Sequence, residues 1–445
     1  MSLTIDTTAG TAHSAESRPD AAARVCAAWA ASGEFDEYLV YERDSRWVFA
    51  AGVRARVVLN HHTIDVTDGD RRTSTSWTGD PAAAIAHALA ELSGQWRVYG
   101  WVAFDFCAAR HDLFGHVSGD AHLAHLIVPE FEVVVTDDGI DTGDLDPRRA
   151  DRLRAIADAV TGPPPATPVD VGDDADDYRG RVALAVDEIA RGEYQKVILS
   201  RRVDIVFDVD LPATFVRGRE ANDPARSYLF HIGELSAAGF SPELVVAADT
   251  DGRVVTEPLA GTRAAGRGAD LDAAARAELL TDPKEIAEHA MSVRACFDEI
   301  SSVSIPGTTA VHEYMAIRER GSVQHLASTV GGDLSPDAGV WQALSVLFPS
   351  ITASGIPKAP ALDAIYRLEP GRRGLYSGAV LTASSAGDLE ATLALRTVFS
   401  AGGTTWLRAG AGVVAQSTPD REFEETCEKL GSVAPHVVRR GEGGR

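Results

Sequence analysis

An α+β fold is expected from three observations. Strand-sized apolar runs and helical stretches alternate without the regular βαβ rhythm of a doubly wound sheet. Runs such as Leu244 to Ala248 and Arg253 to Glu257 flank Asp249-Thr250-Asp251-Gly252 as hairpin arms flank a tight turn. No internal repeat of fixed period is present, which excludes solenoids and propellers.

The elements follow in order. Met1 to Asp20 is polar and small-residue-rich, lacks both the basic start and the apolar stretch of a signal peptide, and reads as a flexible tail. From about Phe35 to Asp138, β-rich runs (Tyr38 to Tyr41, Trp47 to Ala51, Val57 to Leu59, Trp96 to Phe106, Phe131 to Val135) surround an Ala-rich helix from Pro81 to Leu92. This region predicts an antiparallel sheet with helical cover. A helix over Arg148 to Val160 then runs into Gly162-Pro163-Pro164-Pro165-Ala166-Thr167-Pro168, whose prolines block helix and ladder alike, followed by an Asp-rich stretch. A helix (Tyr178 to Arg191) and a strand (Lys196 to Val206) come next. The expected division is a tail (1–20), an N-terminal β-rich region (21–160), a linker (161–175) and a C-terminal region (176–445).

The 445 residues, 45% hydrophobic and 24% charged, have the composition of a soluble globular protein. A formal net charge of -23 argues against nucleic acid or an anionic membrane as partner, while leaving room for a small anion in a local basic pocket. Cys26, Cys107, Cys296 and Cys427 are scattered without a Cys-x-x-Cys pair, as expected for reduced core thiols. With no apolar run of bilayer length, a cytoplasmic protein is expected.

Two acidic segments carry the chemistry. Lys284-Glu285-Ile286-Ala287-Glu288-His289 and Glu422-Phe423-Glu424-Glu425-Thr426-Cys427-Glu428-Lys429 each set glutamates three residues apart, on one face of a helix. Asp282-Pro283-Lys284-Glu285 reads as an N-cap, a proline at the first helical position and a capping-box glutamate, and Thr418-Pro419 opens the second helix in the same way. A lone Glu-x-x-Glu ordinarily faces solvent. Should the two faces meet, their oxygen-only ligands suit Mg2+ better than zinc or iron.

Other templates fail. Asp249 to Gly252 and Asp137 to Asp146 lack calcium-loop spacing and read as tight turns. Phosphate-loop, zincin and serine-hydrolase motifs are absent, and Arg408-Ala409-Gly410-Ala411-Gly412 lacks the third glycine of a dinucleotide loop. Gly410 and Gly412 are expected to let backbone approach a ligand closely.

Taken in order, Lys196 to Arg201, Ser241-Pro242-Glu243, Glu257 to Arg263, Lys284 to His289, Gly321 to His325, Ile351 to Lys358, Tyr376-Ser377-Gly378, Arg408 to Gly412 and Glu422 to Lys429 resemble the motifs of the chorismate-utilising enzymes. The resemblance is dense from Tyr178 to Val438 and looser before. It implies a large antiparallel β-sandwich with helices outside, formed from both halves of the chain. Within the family the motifs resemble the salicylate-forming branch of mycobactin-type siderophore pathways. Lys196 stands where water-using members carry lysine and anthranilate synthases glutamine, and Pro258-Leu259-Ala260-Gly261-Thr262 lacks the lysine of aminodeoxychorismate synthases. Phe348 to Lys358 departs from the histidine-containing version of dedicated isochorismate synthases, favouring salicylate over isochorismate as the final product. The alternatives are an isochorismate-releasing enzyme and an aminating, anthranilate-type subunit.

The resemblance also assigns roles. Lys196 is implied as the general base activating water and Glu243 as the general acid protonating the leaving hydroxyl, which asks for a lowered lysine and a raised glutamate pKa. Glu288 and Glu425 are implied as direct Mg2+ ligands, with Glu285 and Glu422 holding its waters. Arg396 and Tyr376 would hold the enolpyruvyl carboxylate, aided by Gly410 and Lys429. Gly261 and Thr262 would lie beside the ring carboxylate, with His325 lining the pocket. Chorismate is the implied partner; no glutaminase subunit, nucleic acid or membrane is expected, and the chain is expected to be a monomer.

Overall fold

The computed structural model describes residues 18–320 and 323–441. Residues 1–17 of the expected tail, and Gly321 and Ser322 of the Gly321 to His325 motif, lie outside the described residues. A helix spans Arg18–Ala31, so the last three residues assigned to the tail are helical.

Two antiparallel sheets form a sandwich with helices outside, the α+β arrangement that the resemblance implied. The first has ten strands, running from Gly355–Ile356 at one edge through Lys196–Ile205, Thr404–Val413, Thr397–Ala401, Leu235–Ser241, Arg226–Ile232, Tyr38–Arg43, Arg46–Ala51 and Phe131–Thr136 to Gly139–Asp141. In the second, Leu259–Ala264 and Arg253–Thr256 pair with Val323–Asp333, followed by Leu244–Ala248, Leu389–Leu393, Ala379–Ser384, Arg97–Val102, His122–Val128, Ala55–Asn60, Thr63–Asp68 and Arg71–Ser76. Ala310–Arg320 adds an edge strand on Val323–Asp333. In each sheet the strands before the Pro-rich segment form one end and those after it the other, joined where Tyr38–Arg43 pairs with Arg226–Ile232 and Arg97–Val102 with Ala379–Ser384, so neither half completes a sheet alone.

Period-two alternation builds the layers. Along Tyr38–Arg43, Leu39 and Tyr41 enter the core between the sheets, while Tyr38 and Val40 pack under the outer helices Arg18–Ala31 and Leu211–Ala221. The second sheet is covered outside by Pro81–Ala90, Pro283–Ser301, Val340–Leu347 and Lys358–Leu368. The expected strand from Trp96 to Phe106 ends at Val102, and Phe104–Ala109 forms a 3-10 turn. There the Phe104 amide donates to the Gly374 carbonyl at 2.8 Å, and Phe104 and Phe106 fill the core as anchors of the turn. Aromatic residues favour strands, and tertiary packing overrode that preference here. Thr63–Asp68, Arg71–Ser76 and His122–Val128 were not anticipated; Arg71–Ser76 is largely exposed and has no apolar pattern to betray it.

The polar framework converges on Glu369, just past the Lys358–Leu368 helix. Its carboxylate accepts from Arg373 Nη2 at 2.7 Å, Arg408 Nη2 at 2.6 Å, the Ser200 amide at 2.8 Å and Ser200 Oγ at 2.9 Å. Burial raises the cost of its charge, but the two guanidiniums win and hold the carboxyl down at about 2. Among the described residues no helix is long and apolar enough to cross a membrane.

Glu369→Ala would strand two buried arginines and should lower stability in denaturant by about 3–5 kcal/mol. Because the folded pKa lies below the ordinary 4.5, this contribution is complete above pH 4.5 and shrinks as pH falls toward 2. Urea midpoints of the two proteins should therefore converge over that window.

Candidate active site

A cavity of about 110 Å3 opens where the Lys196–Ile205 and Thr404–Val413 edge of one sheet faces the Leu259–Ala264 and Val323–Asp333 edge of the other. Seven residues singled out in the sequence line it: Glu243, Thr262, His325, Tyr376, Arg396, Gly410 and Lys429. They come from separate stretches of chain, brought together by the closing of the sandwich.

Glu243 sits in the turn between Leu235–Ser241 and Leu244–Ala248 and is 3% exposed. Burial pushes its carboxyl up to about 7, against the opposing pull of hydroxyl hydrogen bonds from Thr352 (2.6 Å) and Ser350 (2.7 Å). A carboxyl so placed holds its proton near neutral pH, as a general acid must. Thr352 and Ser350 were quoted in the motif without a role. They stand over 100 residues from Glu243, so no local spacing could reveal the contact.

Arg396 follows the Leu389–Leu393 strand in a left-handed conformation, φ 50°, unfavourable for a side chain with a Cβ. Its guanidinium donates to the Arg320 carbonyl at 3.2 Å and to His325 Nε2 at 2.9 Å, and among the described residues it pairs with no carboxylate. Burial, with the Arg320 charge nearby, pulls it down to about 10, so it remains a cation exposed to the cavity. Since arginine only donates, His325 Nε2 is the acceptor and Nδ1 carries the hydrogen, donated to Thr262 Oγ1 at 2.9 Å. Burial and the Arg396, Lys429 and Arg320 charges hold His325 well below its ordinary value, so it is neutral. The Thr262 hydroxyl proton is thereby left for another acceptor.

Gly261 adopts φ 83° at a bulge of Leu259–Ala264, where a Cβ would lie 3.1 Å from Glu285 Oε2. At Gly410 a Cβ would meet the Leu199 carbonyl at 2.6 Å and the Tyr376 hydroxyl at 3.0 Å. The glycine thus serves strand-to-strand approach as much as access to the cavity. Tyr376 is buried beneath Arg373 and Arg408, each 5.6 Å from its ring centroid, and burial raises its hydroxyl above the ordinary range.

Beyond the cavity lie Lys196 and the four glutamates. Lys196 is 2% exposed, and its Nζ is 2.6 Å from Glu288 Oε1. It is buried as expected, yet beside a carboxylate and not in a cation-rich setting. The helix Pro283–Ser301 is capped by Asp282, which accepts from the Lys284 and Glu285 amides. The reciprocal half of a capping box is not made: the Asp282 amide donates to the Glu278 carbonyl, and Glu285 accepts from Arg263 at 3.1 Å. Thr418, at the start of Pro419–Leu430, makes no side-chain cap bond.

Lys429 joins both parts of the site, donating to the Gly410 carbonyl at 2.9 Å and pairing with Glu425 at 2.8 Å. Burial opposes the Glu425 charge, but Lys429 holds its carboxyl below the ordinary range. Burial raises both Glu285 and Glu422, and their helix neighbours Glu288 and Glu425 add to the rise. The two helices are within electrostatic reach, since Glu288 acts on Lys429 and Lys284 acts on Glu422 and Glu425. Among the described residues no three His, Cys, Asp or Glu side chains are gathered as a metal cluster. The donor set nevertheless suits a hard cation: all four donors are carboxylates, and Glu422 Oε2 is buried without a hydrogen-bond partner among the described residues.

A sequence profile described as chorismate binding enzyme matches residues 37–435. The chain belongs to this family. It is 47% identical over 407 residues to a salicylate synthase of Mycolicibacterium paratuberculosis, covering 91% of this chain and 90% of the relative. An anthranilate synthase component 1 of Halobacterium salinarum is 36% identical over 314 residues, covering 69% of this chain and 59% of the relative. Anthranilate synthase component I from Streptococcus pneumoniae superposes with a TM-score of 0.73 at 24% identity, covering 88% of this chain and 92% of that one. The menaquinone-specific isochorismate synthase of Escherichia coli gives 0.68 at 22%, with 92% and 90% covered. These last two establish the fold.

Replacing Arg396 with Ala should weaken chorismate binding at least about tenfold by calorimetry, the worth of one charge-assisted pair. Arg396→Lys, which keeps charge but loses the fork, should fall between. Unchanged affinity would remove Arg396 from the anion site.

Proposed function

We propose that the chain is a salicylate synthase, converting chorismate to isochorismate and then to salicylate and pyruvate, and so supplying a siderophore pathway. The observation that carries the reading is a buried, proton-holding Glu243 on a cavity that also offers Arg396 and Lys429 to an anion. The 47% relative matched over nine-tenths of both chains points the same way.

In the first step, Lys196, acting as the neutral amine, takes a proton from water as the water oxygen bonds to C2 of the ring. Glu243 gives its proton to the C4 hydroxyl, which leaves as water. The proton removed and the proton supplied balance. Arg396 and Tyr376 hold the enolpyruvyl carboxylate, while Thr262, its hydroxyl proton freed by the His325 tautomer, donates toward the ring carboxylate. Neutral His325 takes no proton; its part is to orient Thr262 and Arg396.

Mg2+ would be held by Glu288 and Glu425 directly and by Glu285 and Glu422 through water. When bound it supplies charge neutralisation for the ring carboxylate. Lys196 and Lys429 each contact one of these two direct ligands, so the proposed base and the proposed anion-binding lysine both adjoin the cation site. The second step, loss of pyruvate by hydrogen transfer within isochorismate, asks only that the enolpyruvyl arm be held over the ring.

Incubating the protein with chorismate and Mg2+, without ammonia or glutamine, should yield salicylate and equimolar pyruvate by chromatography and fluorescence. Isochorismate accumulating alone would assign the isochorismate-releasing activity instead. Absence of turnover would overturn the enzyme assignment. Chelation of divalent cations should abolish turnover and Mg2+ restore it, and Lys196→Ala should lower kcat by about 10²–10⁴-fold.

A further inference from the structure

Glu243 Oε1, Ser350 Oγ and Thr352 Oγ1 form a triangle with edges of 2.7, 2.6 and 2.8 Å. Both hydroxyls are placed to donate to Oε1, which leaves the Ser350–Thr352 edge without a hydrogen of its own. Ser350 Oγ also accepts from the Thr352 amide at 3.4 Å, which biases its own hydrogen toward the carboxyl. Ser350 is buried in the turn before Ile351–Ala353, while Thr352 reaches the cavity wall.

A proton on Oε1 would have to displace one of these two donors, whereas on Oε2 it displaces neither. With Glu243 ionised, both hydroxyls donate to Oε1, fill its two lone pairs and stabilise the negative charge. With Glu243 neutral and the proton on Oε2, Oε1 is a weaker carbonyl acceptor; one hydroxyl can then donate to it and the other to its neighbour. We infer that Ser350 is a positioning residue that, with Thr352, reserves Oε1 as an acceptor, confines the acidic proton to Oε2 and stabilises the carboxylate formed when that proton is given up. The inference rests on the assignment of Glu243 as general acid.

The other titratable groups acting around Glu243 are Glu257, after Arg253–Thr256, and Cys296 on Pro283–Ser301; Arg320 reaches the adjoining Pro242 carbonyl at 3.5 Å. The pocket around the carboxyl thus leaves the two hydroxyls, with the Leu259 amide, as its main stabilisers once it is charged.

The test is an infrared titration of the full chain, following the carboxylic acid band that disappears in Glu243→Gln. Ser350→Ala removes one donor to the ionised form, so the midpoint should rise by about one pH unit. In the same protein kcat should fall about tenfold with KM within twofold, since the lost bond strengthens only as charge develops. Ser350→Thr keeps the hydroxyl and should restore both values. An unmoved midpoint in Ser350→Ala, or a Ser350→Thr protein indistinguishable from it, would overturn the inference. Should Ser350→Ala fail to fold by circular dichroism, Ser350→Cys, near in volume but a weak donor, should show the same upward shift. The band titrates without turnover, so a shifted midpoint in a protein that leaves chorismate unchanged would sink the proposed reaction and not the positioning role of Ser350.

Discussion

One buried carboxylate organises the cavity wall. Glu369 fixes Arg373 and Arg408, and these two arginines then spend their remaining donors on backbone that the site depends on. Arg373 donates to the Ile198 and Ala353 carbonyls at 2.6 and 2.9 Å, and Arg408 to the Arg372 carbonyl at 2.8 Å and Ser200 Oγ at 2.8 Å. Ile198 leads back to Lys196 along one strand, Ala353 follows Thr352, and both guanidiniums lie by the ring of Tyr376. Desolvating one anion and two cations is expensive, and the arrangement holds because nearly every polar atom in it is paired. Its value to the site is placement: it locks the strand of Lys196, the turn beside Glu243 and the ring of Tyr376 into one frame.

The same low-dielectric interior sets the protonation states. Glu243 and Glu369 are both buried carboxyls, yet one is pushed up to about 7 and the other down to about 2. The difference is the company: hydroxyls and a neighbouring carboxyl for Glu243, two guanidiniums for Glu369. His325 is neutral because burial disfavours its charge, the cations around it oppose it further, and Arg396 takes its acceptor lone pair. A cavity with a protonated carboxyl, a neutral histidine and standing cations suits an anion, as the proposed reaction asks.

Much was legible in the chain. Proline at the first turn and Asp282 at the N-cap announced the Pro283–Ser301 helix, and apolar runs flanking Asp249 to Gly252 announced the hairpin of Leu244–Ala248 with Arg253–Thr256. The ordered motifs placed Glu243, Thr262, His325, Tyr376, Arg396, Gly410 and Lys429 on one cavity. The strand expected through Phe106 failed because the aromatic residues that mark strands were needed as core anchors of a turn. Arg71–Ser76 escaped notice because an exposed edge strand carries no alternation to read.

Residue types and their periodicities settled by themselves the α+β class, the helix starts and the inventory of acids, bases and cations, since these depend on local sterics and on burial of alternate faces. Partnership was decided only by tertiary structure. That Lys196 meets Glu288, that Ser350 and Thr352 meet Glu243, and that Arg396 meets His325 follow from closing two sheets over one core, between residues 71 to 109 positions apart. Side-chain chemistry is a local property, but the pKa that makes a glutamate an acid or a counter-ion is a property of what the fold packs against it.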